Sequence, residues 1–240
     1  MHGEGSDRGD PLIALFAGGE PRAVARGVRL HHAGEPLTQL HLIVRGWTGR
    51  SRSTAAGEAA FTGVHMAGDI PCVDGVVNER VGDELFMLCD GVVRQAPVEL
   101  VRDAAARDPA VAGALLRLMA GETAFLRGAL FAVGRLSCSQ RLANFILQTF
   151  HRLVAAGLVA PTQRRFALPL TQSQLAAVTG VTAVHLNRVV QQLRAQGWLE
   201  LGGGFARIVD MAALEGEAAA GAASGAGTGA SPILKAANLT

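Results

Sequence analysis

The chain has 240 residues, 49% of them apolar, and a formal net charge of +2. That length admits one or two domains with real cores, and so small a net charge argues neither for nor against a polyanionic partner. Three cysteines, Cys72, Cys89 and Cys138, are too far apart and odd in number for a disulfide framework or a closely spaced metal motif, and are expected to be reduced thiols.

The polar opening MHGEGSDRGD lacks the pattern of a signal peptide, and residues 1–10 are expected to be disordered. From Pro11 to Ala25 the sequence predicts a short helical lead-in with Leu12, Leu15 and Phe16 on one side. Between Val28 and Pro97 the character changes to short runs of strand-forming residues. Val28–His31, Leu40–Val44, Trp47–Ser53, Ala59–His65, Glu84–Cys89 and Val92–Ala96 are six candidate strands, with Gly34, Gly46, Gly57, Gly68 and Gly91 at or near the breaks. Such spacing suggests an antiparallel barrel or jelly roll, its interior filled by side chains or holding a small ligand.

Helix returns at Pro109, a favourable first helical position behind the capping residue Asp108. Leu115, Leu118, Glu122, Phe125 and Ala129 form one row, and Leu116, Met119, Thr123, Leu126, Leu130 and Val133 a second. Two largely apolar rows need cover on two sides. One cover is the β-rich segment; the other is either a second copy of this helix or the rest of a single core. Arg117, Glu122 and Arg127 interrupt the stretch from Ala110 to Val133, so no membrane span is expected and a cytoplasmic protein follows.

A further helix is predicted over Ser139–Ala156, with Leu142, Phe145, Ile146, Thr149 and Leu153 as its stripe and Gly157 as its end. Pro161 to Leu170 should contain a short strand. Thr171 to Leu201 then reads as a helix-turn-helix. Thr171 and Gln174 have the spacing of a capping box, Leu175 faces inward, Ala176 permits close approach, and Gly180 stands where the first helix must turn left-handed to stop. Thr182 caps the second helix, whose buried stripe is Leu186, Val189, Val190 and Leu193. Its other face carries Ala183, Val184, Asn187, Arg188 and Gln191, a mixture of guanidinium, amides and short apolar groups that suits a DNA major groove.

Beyond Gly197, the runs Trp198–Leu201 and Phe205–Val209 flank Gly202-Gly203-Gly204 as two short strands, making a winged helix. Charge distribution agrees. Between Arg135 and Glu215 eight arginines face three carboxylates, a balance of +5, whereas residues 1–133 hold thirteen arginines and sixteen carboxylates, a balance of −3. Phosphate neutralisation requires the excess where the helix-turn-helix lies. Residues 216–240 are mostly Ala, Gly and Ser and are expected to be a disordered tail, within which Pro232-Ile233-Leu234-Lys235 could dock.

From about Val28 to Leu214 the chain resembles the Crp/Fnr family of bacterial transcription regulators. The resemblance rests on His32-Ala33-Gly34-Glu35, Leu42-Ile43-Val44-Arg45-Gly46-Trp47, Gly68-Asp69 and Leu170–Leu201. It implies an α+β architecture: a cyclic-nucleotide-binding-like sensor barrel over residues 11–107, a long dimerisation helix over 108–134 and a winged helix-turn-helix over 135–215. It also implies a homodimer that binds a pseudo-palindromic double-stranded DNA operator and meets RNA polymerase. Family members commonly read bases from three positions that align here with Ala183, Val184 and Arg188. Only Arg188 keeps the usual chemistry, and it could donate a bidentate pair to guanine. Asn187 suits adenine; Thr171, Gln172, Thr182, His185 and Gln191 complete the expected DNA-facing set.

The barrel departs from the family's cyclic-nucleotide binders. Where they have Gly-Glu-Leu after the Gly-Asp pair, this chain has Ile70-Pro71-Cys72-Val73-Asp74, and Arg80-Val81-Gly82 lacks the hydroxyl of their Arg-Ser or Arg-Thr element. Asp69 and Arg80 remain the candidates for any effector pocket. The N-terminal cysteine cluster of the iron–sulfur members is missing, so neither cyclic AMP nor an iron–sulfur cluster is expected as cofactor. A second reading makes the barrel a ligand-binding or protein-interaction module whose helix-turn-helix binds DNA without sequence preference. A third, enzymatic reading would need a metal on His31, His32 and Glu35, or on His65 near Asp69. Adjacent histidines point to opposite faces of a strand, and neither a catalytic nor a metal site is expected.

Overall fold

The computed structural model describes residues 10–53 and 59–220. Asp10 opens it as a helix cap, its carboxylate accepting from the Leu12 and Ile13 amides, so that α1 (Pro11–Ala14) begins at the proline. The predicted lead-in helix is much shorter than Pro11–Ala25. Gly18, Gly19 and Pro21 end it, and Arg22–Val24 instead form β1. Gly19 is where the chain turns: a Cβ there would lie 2.3 Å from the Gln95 carbonyl oxygen, so only glycine fits beside that strand.

The strands that follow are β2 (Arg29–His31), β3 (Gln39–Arg45), β4 (Trp47–Ser53), β5 (Ala59–Met66), β6 (Glu84–Met87) and β7 (Gly91–Pro97). They form two antiparallel sheets, of order β1-β7-β3 and β2-β6-β4-β5. The sheets do not close on each other, so the alternative of a continuous barrel is corrected to a jelly-roll-like sandwich. Its filling follows from strand alternation: Leu40 and Leu42 of β3, Leu85 of β6 and Ala96 of β7 share one buried cluster with Leu12, Phe16, Ile70 and Val73.

Two helices here were not expected. One is the single turn α2 (Gly75–Asn78); the other is α3 (Val98–Arg107), which buries Val98 and Val101 against the sandwich. Next comes α4 (Pro109–Arg135), 27 residues and roughly 40 Å long, started by the Asp108 carboxylate accepting from the Ala110 amide at 2.8 Å. Val111, Ala114 and Leu115 are buried in the sandwich core, with Leu118 and Met119 packed against it. Further along, Leu116, Leu126, Leu130, Phe131 and Val133 are exposed. By length and composition α4 could cross a membrane, but its first half is already committed to the sandwich.

The C-terminal half comprises α5 (Cys138–Ala155), β8 (Arg165–Ala167), α6 (Gln172–Thr179), α7 (Ala183–Ala195), β9 (Leu199–Gly202), β10 (Phe205–Ile208) and α8 (Met211–Ala219). Strands β8, β10 and β9 make one antiparallel sheet in that order. The expected tail from Gly216 is corrected at its start. Residues 216–219 are the last turn of α8, where Leu214 and Ala218 are buried and the Asn144 side chain donates to the Ala218 carbonyl at 3.3 Å. The remaining expected disorder, residues 1–9 and 221–240 with Pro232–Lys235, lies outside the described residues.

Candidate nucleic-acid interface

The helix pair is built by local chemistry. The Thr171 hydroxyl accepts from the Gln174 amide at 3.2 Å while the Gln174 side chain accepts from the Thr171 amide at 2.9 Å, closing the capping box that starts α6. Gly180 adopts φ 66°, a left-handed cap that returns the chain at once. The Thr182 hydroxyl then accepts from the His185 amide at 3.3 Å to begin α7. Leu186, Val189, Val190 and Leu193 are buried together with Leu175 and Ala176 of α6 and Leu142 and Ile146 of α5. This three-helix support fixes α7 by its apolar stripe and leaves the other face in water.

That outward face and the start of α6 carry the residues expected to read DNA. Thr171, Gln172, Thr182, Ala183, Val184, His185, Asn187, Arg188 and Gln191 are all exposed, Val184 by 66%. Gln191 also accepts from Arg194 at 3.5 Å. The wing sheet and the last turn of α7 add cations that the residue pattern does not single out. Arg165 lies 3.9 Å over the Phe205 ring, the Arg194 guanidinium donates to the Leu201 carbonyl at 2.8 Å, and Arg207 pairs with Glu200 at 3.3 Å. These three arginines line one shallow recess of about 440 Å³ beside the wing. Their signal in the sequence was the basic excess, which gives charge but not place.

One arginine of that excess has a different task. Arg152 of α5 donates to the Val64 carbonyl at 3.0 Å and pairs with the Asp69 carboxylate, whose other contact is the Met66 amide. Trp47, Val64, Met66 and Leu88 of the sandwich belong to the same buried cluster as α5, α6, α7 and the wing. The outer face of the β2-β6-β4-β5 sheet is therefore welded to the winged helix by apolar contact plus one ion pair. Asp69 and Arg80 have separate partners: Arg80 is exposed and donates to the Gly34 carbonyl at 2.7 Å.

Between the sandwich and α4 lies a charged knot. Arg50 of β4 is buried and meets Asp74 at 3.2 Å, Asp83 at 3.3 Å and Glu122 of α4 at 3.4 Å. Asp83 also accepts from Arg52 at 2.9 Å and from the Thr62 hydroxyl at 2.8 Å. Burial pushes the Glu122 carboxyl up to about 7, against the pull of Arg50 and with added repulsion from Asp74, Asp69 and Asp83. Of the residues weighed for a metal, His31 points inward and His32 is exposed. The His31 ring contacts Glu35 at 3.3 Å and His41 at 3.1 Å, and His41 in turn meets Gln95 at 2.8 Å. Burial, with His31 and Arg22 nearby, holds His41 at about 3. The result is a hydrogen-bonded chain that runs from Gln95 through the two imidazoles to Glu35.

Comparison with known proteins agrees with this layout. The Crp-like helix-turn-helix domain matches residues 140–217. The anaerobic regulatory protein of Pasteurella multocida is 26% identical over 185 residues, covering 77% of this chain and 67% of that protein. The fumarate and nitrate reduction regulatory protein of Yersinia pestis is 25% identical over 193 residues, covering 80% and 76%. The chain therefore carries a Crp-like helix-turn-helix domain and is similar over about four fifths of its length to bacterial transcription regulators of the Crp/Fnr type. Solved structures extend the likeness to the whole fold. FixK2 from Bradyrhizobium japonicum superposes with a TM-score of 0.77 at 22% identity, covering 86% of this chain and 99% of that one. The c-di-GMP-responsive regulator CLP of Xanthomonas campestris gives 0.65 at 15% identity, covering 83% and 99%.

Proposed function

We propose that this chain is a Crp/Fnr-type regulator, a cytoplasmic homodimer that reads a pseudo-palindromic operator with one α7 per half-site and engages RNA polymerase, without catalysis. The observation that carries it is the capped, fully supported helix whose free face presents Asn187, Arg188 and Gln191. Arg188 is assigned a guanine through a bidentate pair, and Ala183 and Val184 the methyl groups of thymines. Phosphate contacts fall to Thr171, Gln172, Thr182 and His185, with Arg194 at the end of α7 and Arg165 and Arg207 of the wing sheet extending the basic surface. The exposed apolar row of α4 supports dimerisation, because a second α4 would cover it.

We also propose that DNA reading is independent of cyclic AMP and of an iron–sulfur cluster. A phosphate needs an uncommitted cation, yet Arg50, where the sandwich meets α4, is shared among three carboxylates, Asp69 is taken by Arg152, and Arg80 faces a backbone carbonyl. A cluster held by four thiolates does not fit a chain with three cysteines, of which Cys72 and Cys138 sit in different cores. Selection of bound sequences from random DNA, with no ligand added, tests both statements. Two inverted half-sites should be enriched. Binding that falls with salt and enriches no sequence would replace this reading with a non-specific one.

A further inference from the structure

The seam between the sandwich and the winged helix is not filled throughout. It opens into a cleft of about 580 Å³, with Trp47, Met66 and Cys89 on the sandwich side and Leu158, Val159 and Phe205 on the winged-helix side. The charged residues in its lining are Arg45 and Arg165, both exposed. Its sheet-side wall is rigid. A Cβ on Gly91 would fall 2.3 Å from the Arg45 carbonyl oxygen, and one on Gly46, at φ 97°, would fall 2.9 Å from the Gly91 Cα. Apolar walls of this extent with a few convergent polar groups are the ordinary form of a small-molecule site. Two guanidinium groups at the rim select an anion, and their fork geometry favours a carboxylate. The Arg165 fork is held in place by its stacking over Phe205.

We propose that this cleft binds a single-chain amphiphilic carboxylate, with its hydrocarbon against Leu158, Val159 and Phe205 over the buried floor of Trp47 and Met66, and its head group at Arg45 and Arg165. Since both halves contribute walls, an occupant changes how firmly the winged helix is held on the sandwich, and thereby the affinity for DNA. Only that last consequence rests on the operator-reading proposal; the binding itself does not.

The full chain is titrated with dodecanoate and, separately, with dodecanol, below their micellar ranges. Two readouts lie in the cleft: alkylation of Cys89, the half-buried cysteine, against the buried Cys72 and Cys138, and the emission of Trp47. Dodecanoate should slow Cys89 alkylation several-fold and saturably, and dodecanol should bind at least several-fold more weakly. Arg45→Ala should weaken dodecanoate about tenfold and leave dodecanol unchanged. Ala67→Phe, at a small residue of the lining, should abolish binding of both. Unprotected Cys89, or protection that survives Ala67→Phe, would overturn the site; equal binding of the alcohol and indifference to Arg45→Ala would overturn the carboxylate. Saturable binding with unchanged affinity for a selected operator would overturn the coupling, whereas a chain that selects no operator refutes the earlier reading and leaves the site standing.

Discussion

Helices α4 and α7 both carry a face that the single chain leaves open, and the chemistry of the two faces is opposite. On α4 the open residues are Leu116, Leu126, Leu130, Phe131 and Val133, with Leu130 exposed by 76%. On α7 they are amides, a histidine and Arg188 around two short apolar groups. Water penalises the first face and solvates the second. An apolar helical face therefore calls for a protein partner, while a polar face on a rigidly supported helix calls for one that stays hydrated, such as a DNA groove.

The comparison breaks most severely if α4 is made polar. Leu130→Asp changes a side chain that no core among the described residues contains, so the fold should survive and the association should not. Loss of the second half-site removes the gain from linked binding, and operator affinity should fall by roughly 10²–10⁴. Sedimentation and operator titration on the same preparation measure both. A monomer that still binds the operator at full strength would show that the two faces work separately. Next in size is Arg188→Ala on α7, expected to cost about 1–3 kcal/mol on the selected operator. On random DNA the loss should be much smaller; an equal loss would reassign Arg188 to a phosphate.

The two helices also differ in how plainly they could be read from the residues. Everything that defines α7 is local: Thr171 with Gln174, Gly180, Thr182 and the spacing of Leu186, Val189, Val190 and Leu193, each of which took its expected place. For α4 the extent was equally clear, but not which row met the sandwich, because that depends on strands far away in sequence. Helix α3 is weakly marked in the sequence because Val98 and Val101 are its only buried anchors, in a stretch between a strand and a proline. Nothing in the spacing of residues 50, 74, 83 and 122 announces the Arg50 knot, which is assembled by a strand, a loop and a helix. Arg152 was counted with the phosphate-facing excess although it ends on Asp69, since charge tallies carry no direction.

A smaller effect tests the support of α7 rather than its face. Thr182→Ala removes the acceptor for the His185 amide and should lower stability by about 1 kcal/mol. Thermal unfolding measures it. Operator affinity should fall by less than for Arg188→Ala, because the cap orders the first turn without specifying a base. A larger loss for the cap would mean that Thr182 itself carries a specific DNA contact.

An effect of similar size, confined to high pH, separates the inner side of α4 from its open side. Glu122 is held at about 7 in the folded chain, against an ordinary value of 4.5. Between those values the folded state binds a proton that the unfolded state has lost, so this group's contribution to stability declines as pH rises through that window and is at its least favourable above 7. Glu122→Gln mimics the protonated form at every pH. It should leave stability nearly unchanged at pH 5 and raise it by roughly 1 kcal/mol at pH 8, the full shift being discounted for partial exposure and screening. Calorimetry at the two pH values measures the difference. Because Glu122 faces Arg50 and not the open row, association of the chain should be the same for variant and parent; a variant destabilised at pH 8 would instead make the Arg50–Glu122 pair a net clasp between α4 and the sandwich.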